Sequence, residues 1–295
     1  MIEHERDATV AALTAMEQTG DPRLREILVS LVDHLHGWVR DVELTEDEFR
    51  TATAIVNEIG QLSVDGHNEA VLMAGSLGVS TLVTLLGNGS GGPTSQSTLG
   101  PFWRLGAPVE ENGASIVRSP TPGPEMFAEL RIVDREGRPV EGARVDVWHS
   151  SPVGLYENQD EGQADMNLRG TFRTDSDGRV WFRSVLPAGY PIPTHGVVGR
   201  LLAAQGRHPN RPAHLHALVE ATGFRVLTSQ IYVPDDPNLD SDPQFGVTAN
   251  LIGDYVRHDE PRAADGRDVR PPWYSLQHTL VLEPGATRLP RPPIP

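Results

Sequence analysis

The 295-residue chain contains no cysteine. Disulfide bonds, zinc–thiolate sites and iron–sulfur clusters are therefore excluded, because each of them requires cysteine sulfur. Any metal ion that the chain binds must use histidine, carboxylate or tyrosine side chains as ligands. The missing residue type thus restricts metal chemistry to nitrogen and oxygen donors.

Positive charge and long apolar runs are also scarce. The net charge of −15 argues against a nucleic-acid partner, whose phosphates the protein would repel. The longest apolar-rich run, residues 70–87, has no charged residue but is interrupted by glycine, serine and threonine, and it is shorter than the roughly 20 apolar residues of a membrane span. We therefore expect this run to form buried helical structure. No glycine-rich nucleotide fingerprint and no signal peptide are recognisable, and we predict a cytoplasmic protein.

The first 90 or so residues show the periodicity of α-helices. A helix is predicted to start at Asp21-Pro22, because proline favours the first helical position. Thr45 and Glu48 have the spacing of a capping box, and Gly60 suits the position just after the helix that follows. The apolar stripe of the first helix consists of Leu24, Ile27, Leu28, Leu31, Val32 and Leu35.

Residues 88–93, which are rich in glycine, mark a change in the pattern. Beyond them, short alternating runs are separated by turns, as is typical of a β-sandwich. We therefore predict an α+β fold, with an N-terminal helical domain over residues 1–96 and a mostly antiparallel β-sandwich over residues 97–295. The predicted strands are residues 130–133, 143–148, 171–174, 180–182, 213–220, 224–233 and 278–282.

The sequence His214-Leu215-His216 lies in one of these predicted strands. Residues i and i+2 of a strand share a face, so the two imidazoles are predicted to point the same way and to be able to bind one metal ion. Pro212 favours an extended conformation for Arg211, which places its side chain beside the same pocket. His34 and His36 have the same spacing but lie in a helical pattern, so we interpret them as surface residues.

Two histidines need further ligands, and the residues alone leave two alternatives. Glu220 completes a His-x-His-x-x-x-Glu pattern that superficially resembles the cupin metal motif. However, His208 and Leu227 occupy the positions where that motif has glycine. The other candidates are Tyr156 and Tyr190, each of which follows a turn that contains glycine.

The predicted β-domain resembles the intradiol ring-cleaving dioxygenases, which are non-haem ferric enzymes of aromatic degradation. The order Tyr…Tyr…Arg-Pro-x-His-x-His is specific to this family, whose closest subgroups are the hydroxyquinol and catechol 1,2-dioxygenases. The helical region is similar to the domain that precedes the sandwich in catechol-type members. The matching segments are residues 97–102, 145–149, 167–170, 187–190 and 206–216.

This resemblance implies that Tyr156, Tyr190, His214 and His216 bind Fe(III). The implication agrees with the chemistry, because Fe(III) is a hard cation and two tyrosinates with one hydroxide balance its charge. The family's reaction inserts oxygen from O2 between two hydroxylated ring carbons. By the same resemblance Tyr190 also accepts a substrate proton, Arg211 stabilises negative charge on the ring, and Gln230 orients the substrate.

Residues 190–193 and 239–247 are more similar to the hydroxyquinol subgroup than to the catechol subgroup. Hydroxyquinol is benzene-1,2,4-triol, and its product would be 3-hydroxy-cis,cis-muconate or its tautomer maleylacetate. Ala217, Thr84 and His195 depart from the residues usual in the family, so a roomier or less polar pocket could admit a bulkier diol. By resemblance, the pocket is lined by Leu99, Gly100, Pro101, Phe102, Ile192, Pro193 and Val247.

The resemblance also implies a homodimer, formed through the helical domain, and a phospholipid bound there. Three other functions remain open from the sequence. They are catechol as the substrate, a cupin-like metalloprotein, and a β-sandwich that binds its ligand without turnover.

Overall fold

The computed structural model describes residues 2–64, 67–87, 93–263 and 265–293. The chain divides into two compact units, Met1–Glu58 and Ile59–Pro295. The predicted boundary after residue 96 lies inside the second unit and stays a prediction. Residues 88–92 of the predicted linker lie outside the described residues.

The first unit is helical and contains α1 (Glu5–Glu17), α2 (Pro22–Asp41) and most of α3 (Glu46–Leu62). The predicted start of α2 is confirmed, since the Asp21 carboxylate accepts hydrogen bonds from the Arg23 and Leu24 amides at 2.8 and 2.9 Å. The capping box is also confirmed, because Thr45 and Glu48 bond to each other's backbone amides. The prediction that Gly60 follows the helix is wrong, because α3 continues to Leu62.

The described helices α1 to α3 contain no fully buried residue. Four of the six residues in the predicted apolar stripe of α2 are exposed, among them Leu31 at 56% and Leu35 at 49% of their full accessibility, whereas Leu28 and Val32 are half-buried. An apolar stripe of this length usually faces a core or another helix. The helical unit thus leaves much of this apolar stripe exposed.

The second unit begins with two short helices, α4 (Glu69–Ser76) and α5 (Val79–Gly87), which are bent by 79° about their junction. Gly78, with φ of +74°, makes this bend possible, because that backbone region favours glycine. The prediction of a buried segment is wrong for α5, which has no buried residue. No single helix in the described residues is long and apolar enough to cross a membrane, although α4 and α5 together meet the length and composition criteria as a bent pair.

The remaining elements form two four-stranded sheets, one two-stranded sheet and one helix. In chain order they are β1 (Glu125–Val133), β2 (Arg144–His149), β3 (Arg169–Arg173), β4 (Arg179–Val185), β5 (Tyr190–Pro191), α6 (Val197–Ala204), β6 (Asn210–Arg211), β7 (His214–Glu220), β8 (Leu227–Tyr232), β9 (Asp254–His258) and β10 (Trp273–Val281). The large sheets have the strand orders β4-β1-β10-β9 and β3-β2-β7-β8, and β5 pairs with β6. Of the described pairings, only β1 with β10 is parallel. The predicted combination of helices with mostly antiparallel sheets is confirmed.

One hydrophobic core joins the inner faces of the two large sheets. Phe172 of one sheet stacks on Phe182 of the other, with ring centroids 5.3 Å apart. The odd-numbered residues of β7, among them Leu215 and Ala217, belong to this core. Its even-numbered residues, His214 and His216, consequently point to the opposite face of the sheet. Because Ala217 faces the core, its departure from the family residue does not widen a pocket at the histidine face.

Candidate metal centre and active site

Four side chains bring their donor atoms together on the outer face of β7. The Nε2 atoms of His214 and His216 are 3.2 Å apart. The Tyr190 hydroxyl lies 3.4 Å from His214 Nε2 and 3.4 Å from the Tyr156 hydroxyl. The four residues predicted as metal ligands therefore converge, although residues 156 and 216 are separated by 60 positions of sequence.

Three local structures hold the four donors. The histidines are fixed by strand β7, and Tyr190 is fixed by β5, which pairs with Arg211 of β6. Tyr156 lies at the end of the loop that follows β2, and its ring stacks on Phe102 with centroids 4.4 Å apart. The loops of the two tyrosines touch at Gly154, where a Cβ atom would come within 2.9 Å of the Gly189 carbonyl oxygen.

The histidine side chains are prepared to act as neutral ligands. His214 Nδ1 donates to the Pro212 carbonyl at 2.7 Å, which leaves the Nε2 lone pair free to bind a metal. His216 stacks on Trp148 with centroids 4.6 Å apart. Burial lowers the pKa of His214 to about 3 and lowers the pKa of His216 well below its usual value. Both imidazoles are therefore neutral at pH 7.

The donor set fits a trivalent oxygen-loving ion. Donors that bind one ion at about 2.1 Å with angles of 90–110° lie about 3.0–3.4 Å from one another, which matches the three separations found here. Burial raises the pKa of Tyr156 well above its usual value in the protein alone, so only a nearby cation would make it a tyrosinate. No group of three or more His, Cys, Asp or Glu residues suited to a metal occurs in the described residues, so tyrosine oxygen is needed to complete the site.

Glu220 does not belong to this set. It shares the face of His216 but lies four residues further along β7, which corresponds to about 13 Å at roughly 3.3 Å per residue. Its carboxylate lies 3.5 Å from the Arg144 guanidinium. The cupin-like alternative therefore lacks its carboxylate ligand.

Arg211 and Gln230 form a buried network next to the donor set. The Arg211 Nη2 group donates to Gln230 Oε1 at 2.9 Å and to the Tyr232 hydroxyl at 2.9 Å. Gln230 Nε2 donates to the Thr98 carbonyl at 2.8 Å, so both ends of its amide are bonded. Burial alone would lower the pKa of Arg211, but the adjacent Asp242 carboxylate more than offsets this and keeps the pKa above its usual value. The guanidinium thus keeps a fixed positive charge at this site.

The residues predicted to line the pocket occupy three kinds of environment. Leu99 and Phe102 pack against the cluster that contains Tyr156 and Trp148, and a Cβ atom on Gly100 would lie 3.2 Å from His216 Cε1. Ile192 packs instead with Val198 and Leu202 of α6 and with Leu72 and Met73 of α4. Pro101 and Pro193 are exposed, and Val247 is half-buried after Gly246. Their contribution to a pocket stays a prediction.

Two further departures from the family pattern lie away from the donor atoms. The Thr84 hydroxyl donates to the Thr81 carbonyl at 2.8 Å within α5. The exposed His195 lies next to His67, with ring centroids 5.3 Å apart. Neither contact reaches the tyrosine or histidine donors.

The sequence prediction missed three residues that hold the site together. Trp148 stacks on His216, Tyr232 donates to Gln230 Oε1 at 2.6 Å, and Asp242 binds Arg211. The position of Tyr232, two residues after Gln230 in β8, could have indicated that it shares the face of Gln230. No local pattern marks Asp242.

Comparison with known proteins supports one family over nearly the whole chain. Residues 21–90 match the model of the catechol dioxygenase N terminus, and residues 98–271 match the dioxygenase model. A hydroxyquinol 1,2-dioxygenase of Rhizobium sp. strain MTP-10005 is 41% identical over 94% of this chain and 95% of its own length. A catechol 1,2-dioxygenase of Candida albicans is 36% identical over 85% of this chain and 84% of its own length.

A solved structure extends the similarity to three dimensions. The hydroxyquinol 1,2-dioxygenase of Pseudomonas putida DLL-E4 superposes with a TM-score of 0.88 and 36% identity, over 95% of this chain and 99% of that one. Both domain models, the relatives and the fold therefore lead to the same conclusion, which is that the chain belongs to the intradiol ring-cleaving dioxygenase family.

Proposed function

We propose that the protein uses Fe(III) and O2 to open the ring of hydroxyquinol between its two adjacent hydroxylated carbons. The product is 3-hydroxy-cis,cis-muconate, whose keto tautomer is maleylacetate, and both oxygen atoms of O2 enter it. The convergence of two tyrosine and two histidine donors on one point carries this proposal. Relatives named hydroxyquinol 1,2-dioxygenase and 6-chlorohydroxyquinol 1,2-dioxygenase direct it to hydroxyquinol.

Tyr156, Tyr190, His214 and His216 would hold the iron. When bound there, Fe(III) supplies the Lewis acidity that favours the diol in its ionised form. Tyr156, His214 and His216 are each only 1% exposed, whereas Tyr190 is half-buried. Tyr190 is therefore the donor whose oxygen can turn towards a bound diol and accept one of its protons.

Arg211 and Gln230 act on the substrate side of the site. Arg211 provides a buried positive charge, and it pairs through the backbone with Tyr190. Such a charge stabilises an electron-rich ring more effectively than a solvated one, because it needs no reorganisation during the reaction. Gln230 is fully buried and bonds to Thr98 and Arg211. Its carboxamide therefore has a fixed position and orients the substrate ring.

The remaining parts of the proposal concern architecture and location. The two four-stranded sheets, with their shared core, form the β-sandwich catalytic domain of residues 97–295. Residues 1–96 form the helical domain, which joins two copies into a homodimer and holds a phospholipid. The exposed apolar stripe of α2 and the exposed apolar residues of α5 support both roles. The enzyme works in the cytoplasm.

The substrate assignment is tested by O2 uptake with hydroxyquinol, catechol, protocatechuate and a bulkier diol. We expect kcat/KM for hydroxyquinol to exceed that for catechol by at least about tenfold, since a site that bonds a substrate hydroxyl rejects analogues that lack it. Faster turnover of catechol, or of the bulkier diol, would overturn hydroxyquinol as the substrate. A protein that binds the diols without consuming O2 would contradict the proposed reaction itself.

The dimer is tested by Leu31→Asp, which places a charge in the middle of the exposed stripe of α2. We expect the dissociation constant of the dimer to rise by at least about 100-fold, because burying an unpaired charge costs several kcal/mol. The control is Ser30→Asp, which adds the same charge beside the stripe. Sedimentation velocity at micromolar concentration measures both variants, and a monomeric unmodified protein would contradict the proposal.

A further inference from the structure

The Asp242 carboxylate binds the Nε–Nη2 edge of the Arg211 guanidinium with both of its oxygens. Its Oδ1 atom accepts from Arg211 Nε at 3.1 Å, and its Oδ2 atom accepts from Arg211 Nη2 at 3.0 Å. Both side chains are nearly inaccessible, at 4% for Asp242 and 5% for Arg211. A two-point contact of this kind fixes the plane of the guanidinium as well as its charge.

The same carboxylate is held by its own loop, residues 239–246, which we name the Asp242 loop. The amides of Gln244 and Gly246 donate to its two oxygens at 3.2 and 2.9 Å. Gly246 has no room for a side chain, because a Cβ atom would lie 2.7 Å from the Tyr232 hydroxyl and 2.9 Å from Arg211 Nη2. The loop backbone therefore packs directly on the arginine.

The Asp242 loop is also attached to helix α4. Gln244 Nε2 donates to the Ser76 hydroxyl at 2.7 Å, and its carboxamide fills the space that a side chain on Gly75 would occupy. On the other side, Arg207 donates to the carbonyls of Ser76 and Pro243 at 3.0 and 2.9 Å. The middle of the loop, at Pro243 and Gln244, is thus fixed to α4 and Arg207, and Asp242, which precedes it, binds Arg211.

We propose that Asp242 is a positioning residue that holds the Arg211 guanidinium in its reactive orientation, and that Gln244 secures this arrangement to helix α4. The inference rests on the proposed role of Arg211 in ring cleavage. Arg211 Nη2 has three partners within hydrogen-bond distance in the described residues, namely Gln230, Tyr232 and Asp242. Only Asp242 among them carries an opposite charge, so it decides where the guanidinium lies. Asp242 itself contacts none of the tyrosine or histidine donors in the described hydrogen bonds and ion pairs.

The test is Asp242→Asn, which keeps the shape of the side chain but places an amide N–H against donors of Arg211 or Gly246. We expect kcat to fall about 10- to 100-fold, less than the loss caused by removing a catalytic donor outright. Iron content per chain and the dissociation constant of hydroxyquinol, titrated without O2, should stay within about threefold. The control is Asp240→Asn, which makes the same chemical change at an exposed position of the same loop.

A double-mutant cycle separates positioning through Arg211 from a general structural effect. In the Arg211→Ala background, Asp242→Asn should lower kcat by less than about twofold, because the group that it orients is gone. An additive loss would overturn the positioning role. If Arg211→Ala leaves kcat unchanged, the proposed role of Arg211 in ring cleavage is wrong. If Arg211→Ala lowers kcat but Asp242→Asn leaves kcat unchanged, only the positioning role of Asp242 is wrong.

Gln244→Ala provides a second variant that leaves both buried charges in place. It removes the bond to Ser76 and should lower kcat about three- to tenfold, with iron content unchanged. The melting temperature of the metal-free variant should stay close to that of the unmodified protein, because one partly buried hydrogen bond contributes only about 1 kcal/mol. Unchanged kcat in this variant would overturn the proposed role of Gln244 in holding Asp242 and Arg211 in place.

Discussion

The His214→Ala variant is expected to lose its iron, its visible absorption and its dioxygenase activity together. His214 Nε2 lies 3.4 Å from the Tyr190 hydroxyl and 3.2 Å from His216 Nε2, so the substitution removes the donor that adjoins two of the other three. The hydrogen bond from His214 Nδ1 to the Pro212 carbonyl also fixes the orientation and the tautomer of the imidazole, and alanine cannot form it. Iron per chain, measured by elemental analysis after purification, should fall below about one tenth of the unmodified value, since losing even a supporting contact of a metal ligand costs 10- to 100-fold in affinity.

The control is His208→Ala, which removes a histidine from the same segment of sequence. His208 Nε2 bonds to the Ser241 hydroxyl at 2.8 Å and its Nδ1 accepts from the Asn210 amide at 3.2 Å, and neither contact involves a donor residue, so iron and visible absorption should persist. The iron-loaded protein is expected to be red, because tyrosinate-to-iron charge transfer absorbs visible light, and Tyr156→Phe and Tyr190→Phe should each weaken this colour by removing a phenolate oxygen. Full iron content in His214→Ala, or stoichiometric zinc in a colourless and active enzyme, would contradict the proposed metal centre.

Local periodicity was sufficient to predict the central part of this site. The alternation of a strand determines that His214 and His216 share a face and that Leu215 and Ala217 share the other, and β7 has this arrangement. The start of α2 was equally predictable, since Asp21-Pro22 satisfies the first amides of the helix by itself. These features depend on neighbours within a few residues.

Features that depend on distant contacts were not predictable in the same way. The segment 197–204 is short and mostly apolar, so its pattern alone does not indicate a helix. It nevertheless forms α6, and the Val198 amide donates to the buried Glu69 carboxylate at 2.8 Å, across 129 positions of sequence. Asp242 binds Arg211 across 31 positions, so no spacing rule relates them. The convergence of Tyr156 and Tyr190 was predictable only from the resemblance to the family, because loop geometry is not encoded in periodicity.

The Arg211→Ala variant should keep its iron but lose most of its turnover. If the guanidinium stabilises negative charge on the ring, the barrier should rise by about 2–4 kcal/mol, or about 30- to 1000-fold in rate. Hydroxyquinol should still bind without O2 and shift the visible spectrum, because its binding depends on the donor set and not on Arg211. Single-turnover ring cleavage, expressed per iron, measures the effect. Arg211→Lys should recover little, since an ammonium cannot bond both oxygens of Asp242 in one plane.

Stability must be measured on the same preparation, because Arg211→Ala leaves the buried Asp242 carboxylate unpaired. That loss is expected to lower the free energy of unfolding by about 3–5 kcal/mol, whether or not Arg211 takes part in the reaction. The control is Arg144→Ala, which breaks partly buried ion pairs with Asp146 at 2.9 Å and with Glu220 at 3.5 Å, neither of which involves a donor residue. It should also lower stability, but it should leave turnover per iron unchanged. If Arg211→Ala behaves like Arg144→Ala, with a lower melting temperature and full turnover per iron, then its charge serves the fold alone and the catalytic role of Arg211 is disproved.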